Sequence, residues 1–363
     1  MIEQVLSANT SYNAHIATKA DVLAAIKKER RDVNDFMALL SVAADECLEA
    51  MAAEAKRETF RNFGNGIQLF TPLYIANHCT NHCTYCSFAQ NNAIKRGKLT
   101  FAEIEKELVA IAATGLDEIL LLTGESRTMS DFSYIKESVK MASLIFSTVG
   151  LEVYPLETSE YAELRAVGAD FVNVYQETYT QDVYAKVHLK GKKRDFDYRF
   201  HTQERAIIGG MRGVSFGVLL GLGDFRRDAF SAGVHAYLLQ QKYPHAEISF
   251  SVPRIRTFAS SGENSFTQVT ERQLLQTMLA YRLFLPFAGI TISTRESAHF
   301  RDNVVGLCAT KMSAGVMTGV GGHVLEQKGD EQFQIADARS VDDIHKMLQI
   351  RGLQPVYTNY IAV

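Results

Sequence analysis

The sequence predicts an α/β protein, and within that class a (β/α)8 barrel, on three observations. From Gly66 onward, short β-branched or Leu-rich runs alternate with longer amphipathic segments, the pattern that builds βα units around a parallel sheet. The short runs number eight. A length of 363 residues accommodates one large barrel with extensions at both ends.

Taken in order, residues 21–58 are rich in Ala, Leu, Met, Glu and Lys with apolar positions at helical spacing, so two or three amphipathic helices form a leader. The eight strands are expected at 68–75, 118–122, 152–156, 171–175, 215–220, 247–252, 291–293 and 310–313. Helices are expected between them at 101–113, 131–146, 159–166, 202–211, 227–242 and 271–284. Thr100 and Glu103 stand at capping-box spacing before the first of these. The resulting division is a helical extension over 1–65, the barrel over 66–325 and a tail over 326–363 that carries a short helix at 341–351 and packs on the barrel. The segment 178–201 is long and charged, with Lys190, Lys192, Lys193, Arg194 and Asp195 close together. It reads equally as a cover for a site or as a solvated surface loop.

An apolar fraction of 47%, a charged fraction of 22% and a formal net charge of −3 describe an ordinary packed chain with no basic field for nucleic acid and no polybasic membrane patch. The first residues lack a charged segment followed by an apolar core, and no run reaches the ~18 apolar residues of a membrane span. The expected location is cytoplasmic. Of five cysteines, Cys79, Cys83 and Cys86 fall within eight residues, too crowded for a disulfide framework.

Those three form a C-x3-C-x2-C spacing directly after the first strand. In a parallel barrel that loop lies at the catalytic face, where three thiolates can converge on one metal centre. Three ligands leave one iron of a cubane open for a small molecule. The alternative is structural zinc with His78 or His82 as fourth ligand. Cys47 and Cys308 have no such neighbours and read as structural thiols.

Polar residues also cluster where strands end: Thr123-Gly124-Glu125, Glu157-Thr158-Ser159, Gln176-Glu177-Thr178, Pro253-Arg254, Thr294-Arg295-Glu296 and Ser313-Ala314-Gly315. Any one of them could be a helix cap or a solvated charge, but their convergence on one face marks a site.

The cysteine spacing with Tyr85 before the last cysteine resembles the signature of the radical S-adenosylmethionine superfamily. That resemblance implies a [4Fe–4S] cluster on Cys79, Cys83 and Cys86, with S-adenosylmethionine on the open iron. Thr123-Gly124-Glu125 resembles the superfamily segment that meets the methionyl amine, and Gly217-x-Leu219-x-Gly221-x-x-Asp224 resembles the one near the adenine. Glu157, Gln176 and Glu177 are candidates for ribose hydroxyls or the methionyl group.

Four longer stretches, at 156–161, 174–179, 293–297 and 311–315, resemble the aromatic amino-acid lyases, and most of all the 2-iminoacetate synthase family of bacterial thiamine biosynthesis. The resemblance implies cleavage of the L-tyrosine Cα–Cβ bond to 2-iminoacetate and p-cresol. It also implies transfer of the imine to thiazole synthase and electrons from a donor such as flavodoxin or ferredoxin. A planar guanidinium suits the substrate carboxylate, so Arg295 is its expected anchor and Ser313 a hydroxyl donor. Tyr74, five residues before Cys79, is the candidate for contacting or deprotonating the substrate amine. Ser87 stands where the family usually has glycine. The related lyase of hydrogenase maturation uses extra C-terminal cysteines, whereas this sequence has none after Cys308. A relative acting on another aromatic amino acid, or a non-catalytic metal-binding scaffold for thiazole synthase, are the competing readings.

Overall fold

A computed structural model describes residues 1–255 and 266–358. Its strands are β1 (Gly66–Ala76), β2 (His82–Cys83), β3 (Glu118–Thr123), β4 (Thr148–Glu152), β5 (Phe171–Asn173), β6 (His188–Lys190), β7 (Gly213–Phe216), β8 (Glu247–Ser251), β9 (Gly289–Ile292), β10 (Lys311–Ser313) and β11 (Gln354–Val356). Eight of these, in the spatial order β10-β9-β8-β7-β5-β4-β3-β1, pair in parallel, and the β10–β1 pairing closes the ring. The chain is therefore the (β/α)8 barrel expected from its alternating pattern.

Helices form where caps and periodicity agree. Phe101–Ala112 starts at a capping box made by Thr100 and Glu103, and it buries Ile104, Leu108 and Ile111. Glu271–Phe284 starts at a second box, made by Thr270 and Gln273. Two strands differ most from expectation. β4 lies at Thr148–Glu152 rather than 152–156, because Gly150 weakens the strand signal in sequence while the Phe171 ring fills the space a side chain would take. β7 begins at Gly213, two residues early, and stops before Gly217, where a Cβ would strike the Tyr175 ring and the Ser251 carbonyl.

The leader is not separate from the barrel. Gln276 donates from Nε2 to the Leu39 and Ser41 carbonyls at 3.1 and 2.9 Å, Asn9 donates to Ser231 at 2.9 Å, and Phe36 stacks on Phe284 with centroids 4.3 Å apart. A Phe36→Ala change would cost about 3–5 kcal/mol by transfer and cavity terms. Helix Ile2–Ser11, absent from the sequence reading, belongs to the same core through Val5.

The tail does more than pack outside. Its helix Val341–Ile350 lies against the barrel exterior, and β11 pairs with the start of β1. The stretch before that helix crosses the barrel mouth, where Gln332 and Phe333 line the interior cavity. Among the described residues, no helix is long and apolar enough to cross a membrane.

Candidate active site

The three cysteines sit on a loop braced from several directions. Asn77 donates from Nδ2 to the Lys95 and Asp330 carbonyls at 3.0 and 3.2 Å, and its Oδ1 accepts from the Gly97 amide at 2.8 Å. Arg96 reaches the Asn77 and Phe88 carbonyls at 2.9 and 2.7 Å. Cys83 lies in β2, which pairs antiparallel with β6 from the charged segment. Gly124 packs so closely under the loop that a Cβ there would collide with the His78 carbonyl.

The pairing of β2 with β6 ties residues 178–201 to the cysteine loop: Lys193 lines the interior cavity, whereas Lys190, Lys192, Arg194 and Asp195 are exposed, so the segment is in part a wall and in part a solvated surface. Tyr85 donates from Oη to His188 Nε2 at 2.8 Å, while His188 Nδ1 donates to the Tyr184 carbonyl at 2.9 Å. Burial, reinforced by Lys193 and Arg199, lowers the His188 pKa to about 2, so the ring is neutral and this tautomer is set. Lys193 pairs with Glu177 at 2.8 Å and Arg199 with Glu125 at 2.9 Å. Asn81 adds a 2.7 Å bond to the other Glu125 oxygen. Burial would raise the Glu125 pKa, but Arg199 and Lys193 outweigh it and hold the carboxyl below its usual range. Glu177 adopts φ 71°, a conformation that non-glycine residues seldom hold outside over-determined sites.

A cavity of about 710 Å³ runs down the barrel from this wall. Phe70, Leu120, Leu122, Phe171 and Tyr175 give it an apolar and aromatic lining, and Cys86, Tyr85, Glu177, Lys193, Arg295 and Ser313 gather at its mouth. Arg295 lies over the Phe333 ring at 3.5 Å. Nearby, Glu296 accepts from Arg254 Nε at 3.0 Å, and Asp302 pairs with Arg339 at 2.8 Å. The Ser313 hydroxyl is buried with no hydrogen-bond partner among the described residues, leaving it able to donate into the cavity.

Tyr74 also lines the cavity, and its hydroxyl donates to Gln332 Oε1 at 2.7 Å. Burial raises its pKa well above the usual tyrosine value, with Glu152 adding to the rise. The phenol therefore stays protonated and can donate, which corrects the expectation that it takes a proton from the amine.

Of the expected cofactor residues outside the cavity lining, Thr123, Gly124 and Glu125 lie at the cysteine loop, and three others stand apart from both. Glu157 is exposed, capping helix Thr158–Ala166 and accepting from Tyr198 at 2.7 Å. Gln176 is buried, donating to the Phe196 carbonyl at 3.4 Å. Gly221, with φ 111°, turns the chain where a Cβ would strike the Thr267 carbonyl. The Thr123 hydroxyl is buried without a partner among the described residues. Sequence reasoning missed Gln332 and Phe333, since no local signal brings a tail across a mouth. It also missed Glu152, although an acid ending an otherwise apolar strand was a signal that could have been read.

Whether the loop suits an iron–sulfur cluster can be judged from its chemistry. The three thiols are free and within mutual electrostatic reach, and Cys86 opens on the cavity. Burial, with Glu125 next, raises the Cys79 thiol to about 11, and burial raises Cys83 and Cys86 while Lys193 opposes it. Metal would displace these protons. Among the described residues, no three His, Cys, Asp or Glu side chains close around a single ion, so neither His78 nor His82 completes the structural zinc alternative. A cubane, which takes each thiolate on a different iron, fits the set.

A thiol loop at the C-terminal mouth of a parallel barrel, above a ligand-sized cavity, defines a radical S-adenosylmethionine enzyme. The Radical SAM superfamily matches residues 73–229, and the Biotin and Thiamin Synthesis associated domain matches 251–354. The 2-iminoacetate synthase of Escherichia coli (strain K12) is 40% identical over 94% of this chain and 91% of its own length. That of Salmonella typhimurium is 39% identical over the same shares. The X-ray structure of the FeFe-hydrogenase maturase HydG from Carboxydothermus hydrogenoformans superposes with a TM-score of 0.91 at 28% identity, covering 99% of this chain and 86% of that one. The chain belongs to the 2-iminoacetate synthase family and is a radical S-adenosylmethionine lyase. Membership implies a [4Fe–4S] cluster and S-adenosylmethionine.

Proposed function

We propose that this chain cleaves the Cα–Cβ bond of L-tyrosine to 2-iminoacetate and p-cresol, forming 5′-deoxyadenosine and methionine, for the thiazole of thiamine. One observation carries the substrate reading: Arg295 and the unpartnered Ser313 hydroxyl open into an aromatic-walled cavity that also holds Cys86. Cys79, Cys83 and Cys86 hold the cluster. When bound and reduced, the cluster with S-adenosylmethionine supplies the adenosyl radical that takes a hydrogen atom from the substrate amine.

The residues of the chain bind and orient. Arg295 holds the tyrosine carboxylate, its charge undiminished by the burial that lowers its pKa, because a guanidinium remains protonated even then. Ser313 donates to the same carboxylate. The Thr123-Gly124-Glu125 backbone receives the methionyl group, with Tyr85 and Glu177 forming the facing wall. Phe70, Leu120, Leu122 and Phe171 take the substrate ring and exclude water. Thiazole synthase is the acceptor of the imine, and a flavodoxin or ferredoxin the electron donor.

The test is anaerobic reconstitution followed by reduction with S-adenosylmethionine and either tyrosine or tryptophan. Tyrosine should yield both 5′-deoxyadenosine and p-cresol. Preferential turnover of tryptophan would overturn the substrate reading, and stoichiometric zinc without iron would favour the scaffold.

A further inference from the structure

Glu152 ends β4 and faces the cavity in the layer of Tyr74, since Tyr74 pairs with Leu122 and Leu122 with Glu152. Four carboxylates line that cavity among the described residues: Glu118, Glu152, Glu177 and Glu247. Glu118 pairs with Lys311, Glu177 with Lys193 at 2.8 Å, and Glu247 with Arg212 at 2.6 Å. Glu152 alone of the four has neither an ion pair nor a hydrogen bond among the described residues. A carboxylate inside a barrel without a partner is costly, and a cation brought by a ligand would offset that cost.

That cation has a source in the substrate. An α-amino acid carries its carboxylate and ammonium on one carbon, so a site needs a cation and an anion near each other. Arg295 is the cation, and Glu152 lies within its electrostatic reach, each entering the other's protonation balance. The other acids at the mouth are committed to Lys193 and Arg199.

We propose that Glu152 receives the α-ammonium group of the substrate and takes one proton from it, a step that rests on the amino-acid lyase reading above. One N–H bond breaks, its electron pair stays on nitrogen, and an O–H bond forms on Glu152. The neutral amine that results is the form from which a hydrogen atom is removed, and no oxidant or reductant enters. The environment suits the role. Burial first, then Glu177, raises the Glu152 pKa to about 7, while Arg295, Lys193 and Arg199 oppose the rise. Tyr74 and Tyr175, which face it, are held protonated by burial and cannot substitute as bases.

The test uses the cluster-loaded enzyme, Glu152→Gln and Glu152→Asp, and two ligands: tyrosine and 3-(4-hydroxyphenyl)propionate, which lacks the amine. Loss of a charge-assisted hydrogen bond should weaken tyrosine binding in Glu152→Gln by about 10- to 100-fold. Binding of the amine-free acid should hold or improve. Formation of 5′-deoxyadenosine at saturating tyrosine should fall by about 100-fold or more, with partial recovery in Glu152→Asp. In the unmodified enzyme, tyrosine affinity should rise as pH passes through about 7, whereas affinity for the amine-free acid should not rise. Equal weakening of both ligands, or parallel pH profiles in the unmodified enzyme, overturns the proposal. If the unmodified enzyme makes no p-cresol, the lyase reading fails, and the difference between the two ligands still reports on Glu152.

Discussion

The two ends of the barrel interior use the same kinds of residue to opposite effect. At the N-terminal end, Glu118, Glu247 and Lys311 are the first residues of β3, β8 and β10, and every one of them is paired. Lys311 bonds Glu118 and lies 4.4 Å over the Phe171 ring, so the charges at the floor are satisfied. At the C-terminal end, Glu152 and Ser313 are the last residues of β4 and β10, and the Glu152 carboxyl and the Ser313 hydroxyl lack hydrogen-bond partners among the described residues. Lys311 and Ser313 are two residues apart on one strand, one a structural plug and the other an open hydroxyl. Polar groups in a barrel therefore mark function where they are left unsatisfied, and stability where they are matched.

The comparison can be broken at either end, and the largest effect should come from the mouth. Cys83→Ala should abolish cluster retention and all turnover, checked by iron content and electron paramagnetic resonance after reconstitution, with unfolding behaviour unchanged from the metal-free protein. Next is the floor. Lys311→Ala leaves Glu118 buried and uncompensated, so it should cost about 3–5 kcal/mol of stability, read by denaturant unfolding. A smaller loss, near that of a surface pair, would show that the floor is wetter than its burial suggests.

Arg295→Ala should keep the cluster and the fold while weakening tyrosine binding by about 10- to 100-fold, the worth of a charged hydrogen-bonded contact. Unchanged tyrosine affinity in that variant removes Arg295 from the substrate site.

The smallest effect is a pH dependence. The Glu152 pKa in the fold, about 7, lies above the ~4.3 of an exposed glutamate, so folding favours its protonated form. Its contribution to stability is full below pH ~4.3 and is lost as pH rises through about 7. Thermal unfolding of the metal-free protein between those limits should show a decline that Glu152→Gln flattens. An equally steep decline in the variant would assign the titration elsewhere.

Much of this architecture was legible beforehand. The capping box at Thr100 placed its helix to within a residue, because caps are local chemistry, and apolar periodicity placed Glu271–Phe284. β4 lies four residues before its expected place because Gly150 looks like a breaker until Phe171, its register partner on the neighbouring strand β5, is seen to fill its place. The cysteine triplet, Arg295 and Ser313 were visible as strand-end residues, whereas Glu157 shared that position and proved to be a helix cap. Strand ends supply both caps and ligands, and sequence cannot separate the two.

By itself, then, the sequence determined the barrel, the thiol loop after its first strand and the family, since these rest on periodicity and on spacings within ten residues. Tertiary structure alone decided which charges meet. It tied 178–201 to the cysteine loop by pairing β6 with β2, brought Gln332 to Tyr74 across 258 positions, and left Glu152 without a partner among the described residues of the cavity. Pairing of distant charges depends on which side of a closed sheet each residue faces, and that is settled only once the ring is complete.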